Sequence, residues 1–274
     1  MDTINIGKNC YSNVLPVSFF FRDHLFKSKA SFIEAVPAEL NRLLALGEID
    51  LGPVSAYTYA EHAGHYQTLR GLSVSAKGPV GSIFLFSKVP LQELDEAPVA
   101  LTDTSATSVN LLKIILEQFE EIRPSYQTMS PDLPAMMEKA KAALLIGDHA
   151  IRAKWNNSMY HIYDLGELWY KHTGMWMTFA LWCVSKRAIE TKSDLLTEVH
   201  EEFLRSKERG KQEMEKIIDF VQQKIGGTST FWREYFSGLS HDFGPDQKQG
   251  LEYYFKCAAE MELISHSMAV EVWG

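Results

Sequence analysis

The chain has 274 residues, 46% hydrophobic and 23% charged, an ordinary globular composition with ample apolar material for a core and no need of disulfide staples. A net charge of −8, with no basic stripe interleaved with aromatics, argues against a nucleic-acid partner. The first residues, Met-Asp-Thr-Ile-Asn-Ile-Gly, have neither a basic nor an apolar signal region, and the longest apolar runs are of strand length, so the expectation is a cytoplasmic protein with no membrane partner.

Ile4-Asn5-Ile6-Gly7 reads as a short strand running into the polar loop Lys8 to Asn13, with a helix from near Pro16, where proline suits a first turn. Phe32 to Val36 is a second strand. Leu40, Leu43 and Leu44 then recur at helical spacing until Gly47. Ile49 to Gly52 is a third strand, and Pro53-Val54-Ser55 turns into another helix. Strand alternating with helix predicts parallel pairing, with ligands beyond the carboxyl ends of strands; this singles out Asn13 and Ser55.

Leu72 to Ala76 and Ile83 to Ser87 are strands flanking the turn Lys77 to Ser82. Val99 to Leu101 is followed by the hydroxyl-rich loop Thr102 to Ser108 and a helix carrying Val109, Leu112, Ile115, Leu116 and Phe119. Ala142 to Ile146 is a buried strand ending at Gly147-Asp148, and Phe179 to Val184 is another. Beyond it the apolar spacing is helical, with a loop from Gly238 to Pro245. The predicted fold class is α/β. One lobe is built from residues 1–87 and 179–274, a second (88–178) is inserted, and two crossings form a hinge, as in the type II periplasmic-binding-protein fold.

The loop into the helix after Ser105 has two readings. Its free backbone N–H groups and the hydroxyls of Ser105, Thr107 and Ser108 suit an anion; equally, one hydroxyl caps the helix. Asn13 is either a turn residue or an amide that orients a reacting hydroxyl. Asp148 and Asp103 read as general base or as helix cap, Lys77 as an anion attractor or a solvated surface lysine, and Trp169, Trp176 and Trp182 as core or cleft wall. Cys10, Cys183 and Cys257 are too scattered for zinc and read as buried small hydrophobes. His62 and His65 have no third ligand in view, so no metal is expected. Walker, GxGxxG and GxSxG motifs do not occur.

Several segments, in order along the chain, resemble the chorismate dehydratases of the futalosine route to menaquinone. They are Tyr11-Ser12-Asn13-Val14-Leu15-Pro16, Val36-Pro37-Ala38-Glu39-Leu40-Asn41, Gly78-Pro79-Val80-Gly81-Ser82, Ser105-Ala106-Thr107-Ser108, Leu145-Ile146-Gly147-Asp148, Tyr163-Asp164-Leu165-Gly166, Phe179-Ala180-Leu181-Trp182 and Gly244-Pro245-Asp246-Gln247-Lys248. The resemblance implies a lyase that removes water from chorismate to give 3-[(1-carboxyvinyl)oxy]benzoate, without cofactor. It implies key roles for Asn13 and Ser82, and a helix start from Ser105 to Ser108 that holds a substrate carboxylate. Ser55, Gly81, Ser105, Ala106, Thr107, Ser108 and Asp148 are the expected substrate-binding set. With no obvious protein base, the substrate's own enolpyruvyl carboxylate is the expected proton acceptor. Thr173-Gly174-Met175-Trp176 departs from the family's Thr-Gly-Leu-Pro, so a changed cleft wall is expected there. A non-catalytic solute-binding protein and the related dihydroxynaphthoate synthase are the rival expectations; oligomeric state, including a homodimer, is open.

Overall fold

A computed structural model describes residues 3–9 and 11–274; Cys10 lies outside the described residues. Strands β1 (Ile4–Lys8), β2 (Ala30–Glu34), β3 (Leu51–Ser55) and β4 (Tyr66–Ala76) begin one sheet. The chain then builds a second sheet from β5 (Ile83–Ser87), β6 (Pro98–Thr102), β7 (Ser125–Met129), β8 (Ala142–Ile146) and β9 (His161–Asp164). It returns to the first with β10 (Met177–Ser185), β11 (Leu239–Ser240) and β12 (Val272–Trp273). The first sheet runs β11-β4-β10-β3-β1-β2, with β12 also on β4, and the second runs β7-β6-β8-β5-β9.

The parallel pairing expected of the first strands is observed: β1 lies between β2 and β3, parallel to both. β10 then inserts antiparallel between β3 and β4. β3 runs to Ser55, so the segment from Pro53, read from sequence as a turn, is still strand. β4 is longer than expected because it bends at Gly71, whose φ of +73° accommodates a break in the ladder to β10.

Ile83–Ser87, which the sequence places in the first lobe, instead pairs antiparallel with β8 and β9 in the second sheet. The chain therefore leaves the first sheet at Ala76 and returns through the helix Leu165–Thr173, which packs on both sheets. The physical reason is plain: β5 and β10 are both buried apolar runs, and hydrophobicity cannot say which sheet a buried strand joins. Trp169 and Trp182 are core residues, at 0% and 1% exposure. Among the described residues no helix is long and apolar enough to cross a membrane.

Candidate active site

The loops that follow β1 and β3 meet the turns before β5 and after β6 and β8 around one narrow cavity of about 70 Å³. Its wall includes Asn9, Tyr11, Asn13, Asn41, Ser55 and Phe179 from the first lobe and Ser82, Thr104, Ser105, Ser108 and Gly147 from the second. Pockets that hold small ligands typically measure roughly 300–1,000 Å³, so a guest enters this one only when the walls part. An open hollow of about 540 Å³ around Lys192 to Glu198 is wider, but it lies on the surface among exposed charged side chains such as Lys29, Glu190, Asp194 and Glu198.

Asn13 sits in a single 3₁₀ turn, Ser12–Val14, just beyond β1. The turn is set by Asn9, whose Oδ1 accepts the Tyr11 N–H at 2.8 Å. The Asn13 carbonyl is held from behind by His241 Nε2 at 2.7 Å. Burial pushes the His241 pKa down to about 4, so the ring is neutral near pH 7; facing a carbonyl, Nε2 must carry the hydrogen. The Asn13 side chain is different: its Oδ1 is buried and has no hydrogen-bond partner. A buried acceptor without a donor costs about 1–3 kcal/mol, which a bound hydroxyl or acid proton would recover.

Ser82 is held by three neighbours. Its carbonyl accepts the Gly147 N–H at 2.7 Å. Its Oγ accepts the Tyr235 hydroxyl at 3.2 Å, which leaves its own proton for the cavity. The preceding turn hangs on Asp164, whose carboxylate takes the N–H groups of Val80 at 2.9 Å and Gly81 at 2.7 Å while capping the next helix through Gly166 and Glu167. Burial pushes the Asp164 carboxyl up, and the four donors pull against it. Gly81 has a φ of +72°, and a Cβ there would lie 3.0 Å from the Tyr235 ring, so glycine alone fits.

At the hydroxyl-rich loop, Ser105 caps the helix Ala106–Lys113: its Oγ accepts the Ser108 N–H at 3.2 Å and donates to Ser108 Oγ at 3.0 Å. Ser108 thus keeps its proton free. Ser55 likewise caps Ala56–Glu61, accepting from the Thr58 N–H at 3.2 Å and donating to Thr58 Oγ1 at 2.9 Å. The two helix starts meet across the lobes, where the Tyr57 N–H donates to Thr107 Oγ1 at 2.9 Å.

The structure thus brings Asn13, Ser55, Ser82, Ser105 and Ser108 together and leaves four expected binding residues out of the lining. Gly81 has its N–H committed to Asp164. Ala106 points to solvent. Thr107 is used in the contact to Tyr57 and accepts from the Tyr254 hydroxyl through its carbonyl. Asp148 neither caps its helix nor lines the cavity; it ties the lobes together by accepting Ser12 Oγ–H at 2.6 Å. Lys77 is exposed, and Asp103 is exposed and takes Ser130 Oγ–H at 3.2 Å. Met175 and Trp176 are also outside the lining: the Trp176 carbonyl accepts Trp169 Nε1–H at 3.2 Å and lies against Gly250, so the departed segment is packed under a helix. Asn9, Tyr11, Asn41, Asp164, Tyr235 and His241 were not anticipated as site residues.

A cavity between two α/β lobes, walled by the loops at strand ends, is the arrangement of the periplasmic-binding-protein fold, and solved structures agree. A protein from Archaeoglobus fulgidus matches with a TM-score of 0.74 at 19% identity, over 96% of this chain and 98% of that one. The periplasmic aliphatic sulphonate binding protein of Escherichia coli matches with a TM-score of 0.69 at 17% identity, over 98% and 96%. At those identities the likeness is one of fold. The chain belongs to the menaquinone biosynthesis family, whose model it matches over residues 4–260. It is also 30% identical over 264 residues to a chorismate dehydratase of Thermus thermophilus, covering 91% of this chain and 93% of that protein.

Proposed function

We propose that the protein is a cytoplasmic lyase that dehydrates chorismate to 3-[(1-carboxyvinyl)oxy]benzoate. The observation that carries this reading is the chemistry of the cavity wall. Among the described residues that line it there is no Asp, Glu, His, Lys or Arg, whereas amides and hydroxyls recur and Asn13 Oδ1 has no partner.

Neutral donors suit an anionic guest on an acidic protein. The net charge of −8 repels it only at range, and salt screens that repulsion beyond about 8 Å. Inside, hydrogen bonds to a charged group contribute roughly 1.5–3 kcal/mol each. The start of the helix Ala106–Lys113, with Ser108 free to donate, takes one carboxylate. Asn13 and Ser82 face the reacting ring, Asn13 accepting from the departing hydroxyl and Ser82 donating to it. The ring C–H bond breaks, its electron pair becomes a ring double bond as the C–O bond breaks, and the released ring proton is handed on to the departing hydroxyl, which leaves as water. With no base in the wall, the guest's enolpyruvyl carboxylate takes the proton, held in reach by the closed walls. Aromatisation supplies the driving force.

The test is to incubate the purified protein with chorismate and follow by mass the loss of one water. Binding without conversion would instead support a solute-binding role. An Asp148→Asn variant that bound chorismate but had lost all turnover would place the base on the protein.

A further inference from the structure

We propose that Asn41, on the helix Pro37–Ala45, forms the first lobe's half of a carboxylate clamp whose other half is Ser108. The inference rests on the function proposed above and adds a residue that reads the substrate.

The orientation of the Asn41 amide is fixed by chemistry. Its Oδ1 accepts the backbone N–H of Ser55 at 3.1 Å, and an N–H has no other use for that atom than as acceptor. The amide nitrogen therefore lies on the other side, where it approaches Ser55 Oγ at a long 3.4 Å. That contact engages one of its two hydrogens at most, and Asn41 lines the cavity. The second hydrogen is a donor without a partner in the wall.

Its surroundings say what it would bind. Ser55 Oγ accepts from Thr58 and donates to Thr58, and Ser105 Oγ does the same with Ser108. Both cap hydroxyls have their protons committed. The acceptor of Asn41 is taken by Ser55, and Ser108 Oγ already accepts from Ser105. What remains free at this corner is one N–H from the first lobe and one O–H from the second, with the lobes joined beside them by Tyr57 and Thr107. Two free donors in one stretch of the cavity wall suit an acceptor-only group, and a carboxylate is that group. Because the donors come from different lobes, the carboxylate is gripped only when the cavity is closed.

The discriminating variant is Asn41→Asp. It is isosteric and still accepts from Ser55, so the local fold is kept, but it replaces the donor with a like charge. Its KM for chorismate should rise roughly 10- to 100-fold, with kcat within about threefold and an unchanged melting midpoint, because the lost contact is a hydrogen bond to a charged group made alike in ground and transition states. Asn41→Ala, which removes the donor without adding charge, should show a smaller rise in KM. If the wild type converts chorismate and neither variant changes KM, the clamp is wrong while the proposed function stands. If the wild type binds chorismate without converting it, the proposed chemistry fails, and the dissociation constants of the same variants decide the clamp. A wild type that neither binds nor converts chorismate would overturn both.

Discussion

Asp164, at the end of β9, and Asn13, in the turn after β1, are built on opposite terms. The Asp164 carboxylate is charged and well occupied, taking four backbone N–H groups from two segments. The Asn13 amide is milder, yet its oxygen is buried and unpartnered. The saturated group is structural, and the unsaturated one is open to the guest proposed above, since a native fold leaves few buried polar atoms unpaired. Asp148 also serves the fold, since its Oδ1 takes both the hydroxyl and the N–H of Ser12 across the lobes. A carboxylate beside a cavity is thus weaker support for a catalytic role than an amide with nothing to bind.

The contrast predicts that stability and turnover separate at the two positions. Asn13→Ala, and likewise Ser82→Ala, should lower kcat roughly 10²–10³-fold, the cost of removing one donor or acceptor from a reacting oxygen. Asn13→Ala should leave the unfolding free energy unchanged or raised, because an orphan acceptor has gone. Full activity in both variants would dissolve the site assignment. Asp164→Ala should do the reverse. It strands four donors and should cost about 4 kcal/mol in urea unfolding, with activity falling as the Ser82 turn loosens. An Asp164→Ala protein of normal stability would show that occupancy does not mark the structural group.

The outline of this arrangement is legible in the sequence. Gly and Pro punctuation and apolar spacing give β1 to β3 and the alternation that puts Asn13 and Ser55 at strand ends. The edge strands of the second sheet are not legible. β7 carries Ser125, Tyr126, Gln127 and Thr128 and is half exposed, and β9 has four residues; neither is apolar enough to stand out. The supports of the site are hidden for another reason, which is sequence distance: Asp164 binds Val80 across 84 positions and His241 binds Asn13 across 228. A local signal existed for Asp164, since Asp followed three residues later by Glu167 marks a helix start. None existed for His241, whose role depends on the burial that surrounds it.

His241 supports Asn13 through the backbone, so it belongs with Asp164 in the comparison, and its titration gives a separate handle. Its folded pKa lies near 4, below the ordinary 6.5, because burial penalises the imidazolium. The folded state thus binds fewer protons there. The stability contributed is present in full above pH 6.5 and is lost as pH falls through 4, about 3 kcal/mol in all. His241→Gln, which can still donate to the Asn13 carbonyl, should flatten that part of the stability profile measured by urea unfolding. A variant with the wild-type slope between those pH values would assign the acid loss to other groups.

The smallest expected effect is the sharpest test of how Ser82 is aimed. Tyr235 is buried, and burial pushes its phenol far above the ordinary range, so it meets Ser82 as a neutral donor. Tyr235→Phe keeps the ring against Trp232 and Phe236 and removes the hydroxyl that meets Ser82 and, more weakly, Ser12. Stability should fall by about 1 kcal/mol, the net worth of a neutral hydrogen bond. The Ser82 hydroxyl would then be free to rotate, and its proton would be turned away from the cavity part of the time. Turnover should therefore drop roughly five- to tenfold with KM nearly unchanged, because the loss is in positioning and not in affinity. An unchanged kcat would mean that the backbone tie of Ser82 to Gly147 aims the hydroxyl unaided. Positioning would then reside wholly in the second lobe, and the two lobes would meet at the guest without one orienting the other's side chain.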